Sequence, residues 1–174
     1  AATLAAMQSN CKLDDVSALE KIIDETNFKF EISDGQMTVK INGKNVTEKI
    51  RDPNITENVR FVASAPSLRK RLVKMQRDFA AECPKIVTEG RDQGTVVFPA
   101  ADFKFFLTAQ AGERTKRRAV ELSQKGVKVD VGKLQQEIEE RDASDRGRKT
   151  APLAAAKDAV IIDNTNLTLE QTVN

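Results

Sequence analysis

The chain has 174 residues, a formal net charge of +2, 31% charged and 5% aromatic residues, and no Trp, Tyr or His. That length suits one domain with a real core, while the small net charge and scarce aromatics argue against a nucleic acid polymer as partner, which needs basic surface and stacking platforms. Cys11 and Cys83 lack metal-ligand spacing, so zinc sites and Cys–His or Ser–His nucleophiles are unsupported and no metal-ligating set is expected; nor is any apolar run long enough to span a membrane.

In chain order, residues 1 to about 8 read as a helix without a basic leader before it. Asp14 or Asp15 can cap a second helix, with Val16, Leu19, Ile22 and Ile23 as its apolar stripe. From residue 28 the period becomes two: Phe28, Phe30 and Ile32, then Met37, Val39 and Ile41, with turns at Asp34-Gly35 and Asn42-Gly43. This predicts a small three-stranded antiparallel insert over 28–50, which must pack on another surface because three short strands are not stable alone. Pro53 and Pro66 open two more helices, one with Ile55, Val59 and Val62, the other with Leu68, Leu72, Met75 and Phe79. Arg69, Lys70, Arg71, Lys74 and Arg77 decorate the second, mostly as a solvated face.

The stretch from Ile86 to Pro99 organises the rest. Ile86-Val87-Thr88 predicts a short buried strand; Gly90 breaks it, Arg91 and Asp92 stand side by side, and Gly94 turns the chain again. Open α/β sheets hold ligands in loops at the carboxyl ends of strands, and an Arg-Asp pair offers a phosphate fork and an acceptor together. The plainer alternative is a glycine-bounded turn with a local ion pair. A further short apolar run at Phe105–Leu107 and a third buried-strand candidate at Ala159–Asp163, separated by helices, imply parallel pairing through right-handed crossovers.

A helix over 112–124 carries Arg114, Arg117 and Arg118 and stops at Lys125-Gly126. Asp130 can cap the next, with Val131, Leu134 and Ile138 inward. Further along it Arg141, Asp145 and Arg148 fall at i, i+4 and i+7, one face of a helix. Asp145 can there hold two guanidinium groups as a phosphate clamp; the rival reading is a pair of surface salt bridges, worth little to stability. Thr168 and Gln171 form a capping box for a last helix.

Gly90-Arg91-Asp92-Gln93-Gly94-Thr95-Val96-Val97-Phe98-Pro99, Glu113-Arg114 with Arg117-Arg118, and Arg141-Asp142 through Asp145-Arg146 to Arg148 and Ala151-Pro152-Leu153 closely resemble bacterial cytidylate kinase, as does Pro66-Ser67-Leu68-Arg69 through Gln76-Arg77 to Phe79. The resemblance covers essentially the whole chain. It implies an α/β, parallel-sheet P-loop nucleoside-monophosphate kinase fold, N-terminally incomplete: one partial kinase domain over 1–174, the three-stranded insert of the monophosphate-binding region at 28–50, and a helical lid at 126–148. It implies transfer of the γ-phosphoryl group of ATP, with Mg²⁺, to CMP or dCMP by a cytoplasmic monomer. Matched to the family's motifs, Asp92 would accept a hydrogen bond from the cytosine amino group, a pairing that suits a carboxylate, and Arg69 would help hold the base. Arg91 and Arg148 would grip the CMP phosphate through bidentate forks. Arg141 and Asp145 would lie against the ribose and orient that clamp. Arg114, Arg117 and Arg118 would set positive charge near the transferred phosphoryl group, and the resemblance leaves open which of them does so.

Two departures qualify it. Arg60 stands where the family has a base-reading serine, and the Gly-rich phosphate loop ending in Lys-Ser/Thr does not occur in these residues. That loop cradles the ATP phosphates and helps hold Mg²⁺. Two expectations therefore stand together: a cytidylate kinase, or a non-catalytic CMP-binding remnant or inactive fragment.

Overall fold

The structure, a computed structural model, describes residues 1–33 and 35–174. It divides into two compact units, Ala1–Ile86 and Val87–Asn174.

The first unit is built around helix α1, Ala2–Gln8, in which Ala2, Thr3, Leu4, Ala5 and Ala6 are all buried. A helix buried on every side of its first turns is packed from two directions. On one side Ala2 and Ala6 join Leu19 and Ile23 of α2 (Val16–Glu25), Val62 of α3 (Pro53–Ser64) and Leu68 of α4 (Pro66–Ala81). On the other, Leu4 and Ala5 meet Val39, Ile41, Val46 and Ile55. The alanines allow close approach of both neighbours. Leu19 and Leu68 are wholly buried, which contributes on the order of 1.5–3 kcal/mol each.

The helix starts follow local chemistry. The Asp15 carboxylate accepts from the Ala18 N–H at 3.0 Å, so Asp15 rather than Asp14 caps α2. Asp52 accepts from the Asn54 N–H at 2.8 Å, just ahead of Pro53. Of the basic residues on α4, Arg71 is not merely solvated: its fork reaches Asp24 of α2 at 2.8 and 2.9 Å. Two stripe residues face outward, Val16 because it opens its helix and Val59 because it borders an apolar groove of about 340 Å³. Val73, not expected inside, is buried.

Strands β1 (Phe28–Ser33), β2 (Gln36–Ile41) and β3 (Lys44–Asn45) form the antiparallel meander, with Phe28 opposite Ile41 and Phe30 opposite Val39. Asn42 and Gly43 both take positive φ, as a tight hairpin turn demands. The expected turn at Asp34-Gly35 includes Asp34, which lies outside the described residues. The surface that these strands need is supplied by α1 and α4; Phe30 meets Phe79 edge to face, centroids 5.8 Å apart.

In the second unit, β4 (Phe105–Thr108) and β5 (Val160–Asp163) pair in parallel, from Phe105 opposite Val160 to Thr108 opposite Asp163. Helices α5 (Ala111–Gln124) and α6 (Val131–Gly147) pack on each other, the chain turning between them at Gly126, φ +76°. The Asp130 carboxylate caps α6, accepting from the Lys133 N–H at 3.1 Å. The final helix α7, Leu169–Val173, carries the expected capping box.

Three expectations fail here. Ile86-Val87-Thr88 forms no strand, and Val87 is fully exposed. An apolar run becomes a strand only beside a neighbour that takes its backbone hydrogen bonds, and among the described residues none does. Val160 and Ile161 of β5 stay more than half exposed, since a two-stranded sheet covers little of each side chain. Val131 is also exposed; α6 seats only Leu134 and Ile138, each half-buried.

Candidate functional site

The second unit gathers the arginines and aspartates that the sequence singled out. Asp92 heads a wide, π-type turn over Gln93–Val97, its carbonyl oxygen accepting from the Val96 and Val97 N–H groups at 2.9 and 3.1 Å. Gly94 leaves room for Lys104 to lie close: a Cβ there would sit 3.3 Å from Lys104 Cδ, a tight contact that the lysine side chain would have to yield to. The Lys104 ammonium donates to the Pro99 carbonyl and to Asp158 Oδ2, both at 2.6 Å. That ion pair holds the Asp158 carboxyl below the usual carboxylate range. The turn is thus stapled from its underside, and Asp92 is 4% exposed.

Arg91, one residue earlier, is directed to α6. Its Nε donates to Asp145 Oδ2 at 2.7 Å, while Arg148 Nη2 donates to Asp145 Oδ1. Asp145 is 1% exposed, and its backbone carbonyl accepts from the Leu153 N–H at 2.8 Å. The chain makes that return through Ala151, at φ +53°. This is a costly conformation for a residue with a Cβ, and more so before a proline. One buried residue therefore ties together a loop, through its carboxylate, and the segment after α6, through its carbonyl. The Arg91 side chain remains 45% exposed, so part of its fork still faces solvent. Two guanidinium groups aligned on one carboxylate are suited to bidentate capture of a phosphate.

Asp145 does hold two arginines, but one of them is Arg91 where Arg141 had the right spacing. Helix α6 ends at Gly147, so Arg148 leaves the helical phase and folds back on Asp145. Arg141 is exposed, and its side chain makes no hydrogen bond or ion pair among the described residues.

The three arginines of α5 have different surroundings. Arg114 donates to Asp142 Oδ1 at 3.0 Å and Oδ2 at 2.5 Å, and from Nε to the Ala109 carbonyl at 3.1 Å. Arg117 donates to the Asn164 carbonyl at 2.7 Å, to the Thr165 and Leu167 carbonyls at 3.3 Å each, and to Asn164 Oδ1 at 3.1 Å. It is a clip on the loop between β5 and α7. Among the described residues Arg118 pairs with Glu121 of its own helix alone, and it is half exposed. Arg69 lies on α4 of the first unit, half-buried, and Arg60 lies over the Phe61 ring at 4.9 Å.

The sequence reading passed over Asp142. The signal was present: Asp142 and Asp145 are i and i+3 on one helix, hence on one face. Among the described residues no group of three carboxylate, thiol or imidazole side chains is placed to hold a metal ion, and no helix is long and apolar enough to cross a membrane.

Comparison with known proteins bears on this arrangement. A family model described as cytidylate kinase matches residues 1–174. The cytidylate kinase of Caldicellulosiruptor saccharolyticus is 42% identical over 168 residues, covering 97% of this chain and 74% of that protein. Those of Haemophilus ducreyi and Pasteurella multocida are 39% and 41% identical, each across 98% of this chain and 76% and 74% of theirs.

Proposed function

Because the chain belongs to the cytidylate kinase family and is a kinase-type phosphotransferase, we propose that it transfers the γ-phosphoryl group of ATP to CMP or dCMP, giving CDP or dCDP. One observation carries the reading: buried Asp145 holds Arg91 and Arg148 together, and buried Asp92 is the residue after Arg91.

Phosphoryl transfer asks little covalent chemistry of the protein; it asks for aligned reactants and neutralised charge. The CMP phosphate is itself the nucleophile. Arg91 and Arg148 hold its other oxygens and leave one free to attack. Asp92 accepts from the cytosine amino group. A uracil would turn a carbonyl oxygen toward the same carboxylate, acceptor against acceptor, which favours CMP over UMP. Arg118 is our choice for the charge near the transferred group, since Arg117 is committed to loop carbonyls and Arg114 to Asp142. Exposed Arg141 sits in the segment 126–148, which we read as the lid, and is available to close on ribose or phosphate. Mg²⁺ in this reading comes with the ATP phosphates rather than in an all-protein cage, as this ion commonly does.

The test is a calorimetric titration with CMP and UMP, followed by a CDP-formation assay with ATP and Mg²⁺. Expected is CMP binding in preference to UMP, lost by more than about tenfold in Asp92→Ala with the fold intact by circular dichroism. An Asp92→Ala affinity within a factor of about two of wild type sinks the base-reading role. CMP binding without ATP-dependent CDP formation makes the chain a non-catalytic CMP-binding module.

A further inference from the structure

The last turns of α6 carry the carboxylate that holds the clamp, yet almost nothing apolar seats them. From Arg141 to Gly147 the residues are Arg, Asp, Ala, Ser, Asp, Arg and Gly, and Asp145 is the one buried residue of the whole helix. Ala143 is exposed, and the half-buried Leu134 and Ile138 lie one to two turns earlier. Packing therefore does not fix where this end lies. Polar bonds must do so, and two carboxylates on one face supply them.

Asp145 cannot be its own anchor. Its partners Arg91 and Arg148 are, in the proposed function, the groups that grip the substrate phosphate, and Arg148 belongs to the same stretch of chain. Asp142 has the complementary character. Its partner Arg114 is fixed independently, because the Arg114 Nε donates to the carbonyl of Ala109, directly after β4, at 3.1 Å. The two remaining edges of that guanidinium meet both Asp142 oxygens, at 3.0 and 2.5 Å. Asp142 is 15% exposed at its side chain and Arg114 33%, so the pair is shielded more than an ordinary surface pair. A planar fork with three directed bonds constrains orientation as well as distance.

We infer that Asp142 is a positioning residue for the phosphate clamp: through Arg114 it ties the end of α6 to the β4–α5 junction, so that Asp145 holds Arg91 and Arg148 where a phosphate needs them. Asp142 does not touch the substrate. This rests on the proposed CMP site and deepens it, moving Arg114 from the catalytic candidates to the support of the clamp.

The experiment compares CMP with cytidine, which lacks the phosphate, by NMR titration of the full chain, a readout that follows weak binding. Asp142→Asn keeps size and loses the charged partner. The expected result is roughly tenfold weaker CMP binding, a size usual for residues sharing one network, with cytidine unchanged. Asp142→Glu, which can still meet the fork, retains CMP binding within about twofold. Arg114→Lys matches Asp142→Asn, and the double variant is no worse than either, because one pair is removed in each case. Equal losses of CMP and cytidine would show general loosening and overturn the inference, as would additive losses, which place Arg114 on the phosphate itself. If wild type binds CMP and Asp142→Asn binds it equally well, the inference falls alone. If wild type binds neither ligand, the proposed site falls and takes the inference with it.

Discussion

Arg91 and Asp145 are 54 positions apart in sequence, and the Arg91 Nε donates to Asp145 Oδ2 at 2.7 Å. The carboxylate is almost fully buried while its two guanidinium partners stay part-exposed, at 45% for Arg91 and 27% for Arg148. Removing one member of a wholly buried pair costs about 3–5 kcal/mol. With both cations still wetted, Asp145→Asn is expected to cost less, about 1–2 kcal/mol, after solvent screening. Thermal unfolding measures that loss. A variant as stable as wild type would show that the carboxylate organises nothing.

Arg148→Lys tests the clamp from the other side. A lysine keeps the charge and loses the planar fork, so it cannot meet Asp145 and a phosphate with the same geometry. Expected is CMP affinity reduced roughly tenfold, with stability changed by less than about 1 kcal/mol since the side chain is part-exposed. Titration calorimetry and thermal unfolding on the same sample separate the two effects. Undiminished CMP binding would take Arg148 out of the site.

What could be read in advance divides along a physical line. Elements fixed by local chemistry were legible: a cap from the Asp14-Asp15 pair, the Asn42-Gly43 turn and the Thr168 capping box. Elements fixed by a neighbour were not. Ile86-Val87-Thr88 has the composition of a buried strand, but composition does not provide the adjoining strand that would pair with it. The site divides in the same way. Spacing on α6 marked Asp145 as a holder of two guanidinium groups, but helical geometry pointed to Arg141. The actual partner, Arg91, comes from a loop that no periodicity connects to α6. Asp142 escaped because its partner Arg114 lies on another helix.

Arg117 allows a test of a role that the motif alone leaves open. Its guanidinium donates to the carbonyls of Asn164, Thr165 and Leu167, which would otherwise lack a common donor. Arg117→Lys can satisfy fewer of them at once. The backbone amides around Thr165 to Leu167 should then exchange with deuterium faster, while those of β2 in the first unit keep their protection. Amide exchange followed by mass spectrometry resolves both regions. Unaltered exchange in the 164–167 loop would mean that the clip carries no load.

The meander of the first unit supplies a pH prediction. Glu31 on β1 meets Lys29 at 2.8 Å and Lys40 of β2 at 2.6 Å. Hydrogen bonds from Lys29, then from Lys40, lower its pKa from 4.5 to about 2. A carboxyl whose folded pKa is depressed stabilises the fold fully above its unfolded pKa and loses that contribution as pH falls through the folded value. The Glu31 contribution should therefore be intact above pH 4.5 and decline between 4.5 and about 2. The side chain is partly exposed, so the effect is small and salt-sensitive: at 1 M salt the screening length is about 3 Å, comparable to the bonds themselves. In Glu31→Gln the pH dependence of meander stability across that window should flatten, and high salt should flatten it in wild type. An NMR titration of the Glu31 carboxyl carbon gives the direct answer; a midpoint near the ordinary glutamate value would show that neither lysine holds it.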